Sequence, residues 1–121
     1  MSAEWDVEYT DELEAWWETL TEEEQTSIDA SVTLLEKKGP HLGFPHTSGI
    51  YGSKHDKMRE LRIQHQGDPY RILYVFDPRR SAILLLGGNK TGDDNWYKTN
   101  VPIADKLYDI HIETLKKEGF I

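Results

Sequence analysis

A chain of 121 residues with a net charge of −8 is sized for one domain, residues 1–121, that buries about two thirds of its unfolded surface. It has no cysteine, which excludes disulfides and thiolate metal sites, and no run of eighteen apolar residues, which excludes a hydrophobic membrane-spanning helix. The charge is unevenly spread: residues 1–36 carry −12, residues 37–90 carry +6 and residues 91–121 carry −2. Such a molecule is dipolar, and the local field rather than the total decides what a groove attracts.

The opening MSAEWDVEYTDE is acidic and lacks the apolar core of a secretory signal, so the expected location is the cytoplasm, with no membrane partner. Trp5, Val7 and Tyr9 alternate with acidic residues and predict a half-buried first strand. Thr10 is placed to cap a helix whose apolar residues Leu13, Trp16, Trp17 and Leu20 share one face. Thr21 and Glu24 have capping-box spacing for a second helix carrying Ile28, Val32 and Leu35, which Gly39-Pro40 stops. The two tryptophans are expected in the core.

Residues 39–57 read as a loop wrapping one sheet edge. Its histidines His41, His46 and His55 match no compact ligand spacing and have no acidic cluster beside them, so neither metal nor other cofactor is expected. A three-stranded antiparallel ribbon follows, broken by the turns Gly67-Asp68-Pro69 and Asp77-Pro78-Arg79-Arg80. Arg59, Arg62 and Arg71 fall inside strand patterns, and Lys90 follows the third strand. A guanidinium within a strand needs water or an anion for its head, which predicts one buried face and one basic face. Alternation puts Glu60 beside Arg62, so an Arg–Glu pair that merely steadies the sheet is the competing expectation. Lys54, His55 and Lys57 are expected to border the basic face. Val101-Pro102 predicts the first turn of a final helix, whose wide apolar surface suits the sheet and which ends at Lys116-Lys117-Glu118-Gly119. The order predicts an α+β domain: an N-terminal strand and helical hairpin, a three-stranded ribbon completing one sheet, and a C-terminal helix packed on it, with helices chiefly on one side.

The segments MRELRIQ, PYRILYVF, AILLLGGNKT, WY and PIADKLYD together resemble the RelE/ParE superfamily of toxins from bacterial type II toxin–antitoxin modules, and look most like its HigB-type branch. The resemblance covers roughly residues 30–112. It implies a RelE-like fold, a neighbouring antitoxin, often a helix-turn-helix protein, as partner, and a toxin that cleaves messenger RNA on the ribosome. Members of a smaller branch instead poison DNA gyrase, and an inactive antitoxin-binding module is a third possibility. Arg71 matches the arginine that opens the family's middle strand and contacts the scissile phosphate, and Arg62 the arginine of the preceding strand. Lys90 falls in the basic loop after the last strand and Tyr97 near the terminal tyrosine. Glu60 stands where the well-known RelE nucleases tend to carry lysine, and Thr91-Gly92 replaces a second basic residue.

Metal-independent RNA cleavage needs a base for the 2′-OH, cations for the phosphorane and an acid for the leaving 5′-oxygen. Guanidinium forks suit phosphate oxygens, so Arg71 and Arg62 are the expected phosphate ligands. Lys90 could assist or transfer protons, and Tyr97 could stack on a base or donate a proton. Arg59, Lys54, Lys57, Arg79, Arg80 and Lys98 are the expected contacts to RNA and ribosome.

Overall fold

In a computed structural model that describes residues 4–121, the elements run β1 (Val7–Tyr9), α1 (Asp11–Glu18), α2 (Glu22–Lys38), β2 (Thr47–Gly49), β3 (Arg59–His65), β4 (Asp68–Phe76), β5 (Ala82–Asn89) and α3 (Trp96–Lys117). The strands form one sheet in the order β1-β5-β4-β3-β2, with β1 parallel to β5 and the other neighbours antiparallel. Both helices of the hairpin start where the capping chemistry puts them. Thr10 accepts from the Leu13 amide, and Thr21 and Glu24 close a reciprocal capping box. The loop after α2 does wrap a sheet edge, and it does so as a strand: β2 pairs with β3 through residues 47–49.

The helices do not share one side of the sheet. Leu61, Ile63, Ile72, Tyr74 and Leu84 pack with Leu13, Ile28 and Leu35 of α1 and α2. Leu73, Val75, Ile83 and Leu85 pack with Trp96, Val101, Ala104 and Tyr108 of α3. The expected basic face is therefore covered over most of its area. β4 is apolar on both faces, and each apolar face needs its own helical cover.

Two adjacent glycines in β5 let both layers approach. A Cβ on Gly87 would lie 2.3 Å from the Trp16 ring on one side, and a Cβ on Gly88 would lie 2.6 Å from Trp96 Nε1 on the other. Glycine within a strand marks such close approaches. Gly87→Ala is expected to destabilise by about 1–3 kcal/mol through overpacking. Urea unfolding measures this, and an unchanged midpoint would mean that the Trp16 ring is not seated there.

Helix α3 begins at Trp96, five residues before the expected start, so Pro102 lies inside it. Asp93 supplies the entry: its side chain accepts from the Asn95 amide at 3.0 Å and its carbonyl from the Trp96 amide at 3.3 Å. That turn lets the helix begin without proline at its first position.

At the far end of β4 the buried Asp77 accepts from Arg79, from the Ser81 amide and from His111 Nε2, the last at 2.9 Å. Burial pushes its carboxyl up, but the His111 and Arg79 hydrogen bonds outweigh that and hold it below its ordinary value. A carboxyl depressed in the native state gives stability that is complete above its unfolded value, about 3.9, and lost as pH falls through the native value. Asp77→Asn should therefore lower Tm at pH 7, with the gap to the wild type narrowing below about pH 4. A gap independent of pH would contradict this linkage.

Candidate active site

Register brings polar side chains from three strands to one level on the α3 side of the sheet. Ser48 of β2 pairs with Glu60 of β3, Arg62 of β3 with Arg71 of β4, and Arg71 with Gly88 of β5. The Glu60 carboxylate is the hub, although the residue is only 4% exposed. Its Oε2 accepts from Ser48 Oγ at 2.6 Å and from Arg62 Nη1 at 3.1 Å, and its Oε1 accepts from the Tyr97 hydroxyl. Arg71 Nε sits 3.3 Å from Oε1 as an ion-pair neighbour without a formed hydrogen bond, while Nη1 donates to the Tyr70 carbonyl at 2.9 Å.

The two arginines differ in access. Arg71 is 5% exposed and lies under the site, whereas the Arg62 side chain is 30% exposed and stacks its guanidinium 5.2 Å from the Phe44 ring centre. Tyr97 reaches Glu60 because Trp96 settles against Gly88, which lowers the first turn of α3 onto the polar strip. Burial and the Glu60 hydrogen bond push the Tyr97 phenol up against the opposing pull of Arg71, so it stays protonated at neutral pH. Lys90 Nζ lies 5.7 Å from the Tyr97 ring centre. Beside this group opens a pocket of ≈ 310 Å³ lined by Gly49, Ile50, Tyr51, Glu60 and Tyr97. A larger concavity of ≈ 690 Å³ between β1, α1 and α2 is rimmed by Glu14, Glu18, Asp29 and Glu36, a field that repels phosphate.

Arg62, Arg71 and Tyr97 thus meet at one carboxylate, and Lys90 joins the group only through the Tyr97 ring. The other cations are not. Arg59 donates to Thr47 Oγ1 at 3.3 Å on the opposite face, where Thr47 also bonds the Tyr74 hydroxyl. Lys54 pairs with Asp109. Arg79 is held by Asp77 and Glu8, and Arg80 lies over the Trp5 ring. Both stand in the β4–β5 turn, roughly 20 Å along β4 from Arg71 at ~3.3 Å per residue. Lys57 and Lys98 are exposed and carry no ion pair among the described residues. His55 Nε2 lies 2.9 Å from Asp109, and no group of three His, Asp or Glu side chains among the described residues is placed to hold a metal ion.

Glu60 and Ser48 were not among the expected catalytic residues. Alternation already put Glu60 beside Arg62. The glycine pair in β5 was the remaining signal, since it announces that a bulky residue closes on the sheet there.

A profile of the family described as phage-derived protein Gp49-like matches residues 15–109. Over 96 residues the chain is 43% identical to the candidate toxin HigB3 of Mycobacterium tuberculosis, covering 78% of this chain and 82% of that one. Over 102 residues it is 39% identical to the candidate toxin HigB2 of the same organism, covering 83% of this chain but 51% of that longer relative. The crystal structure of an archaeal RelE–RelB complex from Pyrococcus horikoshii OT3 matches with a TM-score of 0.53, covering 74% of this chain and 98% of that one. At 13% identity this is a likeness of fold.

Proposed function

The chain belongs to the Gp49-like family, among the HigB-type toxins of the RelE superfamily, and on that premise we propose that it cleaves messenger RNA on the ribosome without a metal. The observation that carries this is a carboxylate held beside an open pocket between two guanidiniums and a protonated phenol. Each group has a task. An incoming phosphate draws the accessible Arg62 away from Glu60, because a bidentate guanidinium–phosphate pair competes with the single hydrogen bond it makes to Oε2. Oε2 then takes the 2′-OH proton as the oxygen attacks phosphorus. Tyr97 gives its proton to the departing 5′-oxygen. After product release Glu60 loses the proton held on Oε2 to solvent while the Tyr97 phenolate regains one, which restores both groups and their hydrogen bond. The products are a 2′,3′-cyclic phosphate and a 5′-hydroxyl. Lys90 stabilises the charge that builds on the phosphorane and the phenol. Arg71 holds the carboxylate from beneath.

The implied partners are a cognate antitoxin and the translating ribosome with its message. Inducible expression with primer-extension mapping of transcripts tests the reading: cut transcripts support it. A gyrase-directed inhibitor is the second reading, favoured by one feature, the neutralisation of both site arginines by Glu60. Intact transcripts with gyrase–DNA cleavage complexes would establish that one instead.

A further inference from the structure

Cleavage between two particular nucleotides requires that a base be held as well as a phosphate, and Tyr97 is poorly placed to stack on one. Its hydroxyl is committed to Glu60, Lys90 lies over its ring, and Trp96 meets it at 5.2 Å and 87°. The same pocket carries a second aromatic. Tyr51 is 96% exposed, has no aromatic or cationic partner among the described residues, and lines the pocket with Ile50.

The loop that presents it is pinned rather than loose. Ser53 Oγ donates to Asp105 at 2.5 Å, the Lys54 amide donates to Asp105 at 3.1 Å, the His55 amide donates to Ser53 Oγ at 2.9 Å, and Lys54 pairs with Asp109. An exposed ring on a fixed mount loses little freedom when a flat ligand covers it. The pocket, at ≈ 310 Å³, is at the small end of ligand sites and suits a single nucleotide.

We propose that Tyr51, beside Ile50, is the stacking platform for one unpaired base of the RNA, the base of a nucleotide flanking the phosphate held by Arg62 and Lys90 next to the Glu60 base. Tyr51 is a positioning residue and takes no part in proton transfer. The proposal rests on the RNA-cleavage reading, and the following test separates the two.

The probe is a fluorescent 2′-O-methyl trinucleotide, which cannot be cleaved, alongside the same strand abasic at its central sugar. Anisotropy titrations at low salt are run with the wild type, Tyr51→Ala, Tyr51→Leu and Tyr51→Trp. Tyr51→Ala and Tyr51→Leu are expected to bind roughly 5- to 150-fold more weakly, the range of one base–aromatic stack. Tyr51→Trp should bind within about twofold of the wild type, since any flat ring serves. The wild type should prefer the intact strand to the abasic one, and Tyr51→Ala should lose that preference. Thermal melts should be unchanged in all three variants, as befits a side chain that packs against nothing. Equal binding by the wild type and Tyr51→Ala, or no binding by the wild type, would overturn the proposal. Tyr51-dependent binding by a protein that leaves messages on ribosomes intact would uphold the platform and defeat the cleavage reading.

Discussion

Glu60→Gln lowers the single-turnover rate of message cleavage by about 10²–10⁴-fold, the usual contribution of a positioned general base. The substitution keeps the volume and one accepting oxygen, enough for either Ser48 or Tyr97, but puts an amide NH2 in place of the other oxygen and removes the ability to take a proton. It also takes the negative charge from between Arg62 and Arg71, so the folded protein melts lower. The two effects are separable: the rate is taken per folded molecule, below the melting range, and affinity for the ribosome is measured beside it. If the Arg–Glu group only steadies the sheet, Tm falls while the rate per folded molecule stays within about tenfold. That result would assign Glu60 to structure alone.

Arg71→Ala produces the larger loss of stability. Arg71 is buried with its Nη1 on the Tyr70 carbonyl and its Nε against Glu60, so truncation leaves a cavity and a carboxylate short of one cation. Removing one partner of a buried ion pair costs about 3–5 kcal/mol. In a protein of this size that lowers Tm by roughly 10–20 °C. Arg62→Ala, at an accessible position, should cost about 1 kcal/mol or less while abolishing cleavage. The pair of variants thus divides the arginines into one that builds the site and one that meets the phosphate. A loss below about 1 kcal/mol for Arg71→Ala would show that its guanidinium reaches water and is not buried.

Much of this architecture was legible in the residues, and the reasons are local. Thr10, Thr21 and Glu24 announced the helix starts because capping is decided within four residues. The ribbon can be read from period-two alternation and its turns, and that alternation alone places Glu60 with Arg62. What escaped was set partly by side chains closing local turns and partly by contacts distant in sequence. The start of α3 was misplaced because Pro102 signals a first turn, whereas the Asp93 turn and the Gly88–Trp96 contact begin the helix earlier. That shift moved Tyr97 from a loop to a helix and closed it on Glu60. Leu73 and Val75 share the side of Arg71 and call for partial helical cover there. The extent of that cover, with α3 lying over most of the expected basic face, is set by the packing of Trp96, Val101, Ala104 and Tyr108. Arg79 and Arg80 looked available for RNA because Glu8 and Trp5 reach them only through the fold, although Asp77, two residues before Arg79, holds it within the turn itself.

The most direct test mixes purified protein, programmed ribosomes and a defined message, then analyses the ends of the fragments. The expected cut requires the ribosome, survives chelation sufficient to strip any metal from the protein before mixing, and leaves a 2′,3′-cyclic phosphate opposite a 5′-hydroxyl. A message that stays full length under wild-type protein, or fragments ending in a 3′-hydroxyl and a 5′-phosphate, would contradict it.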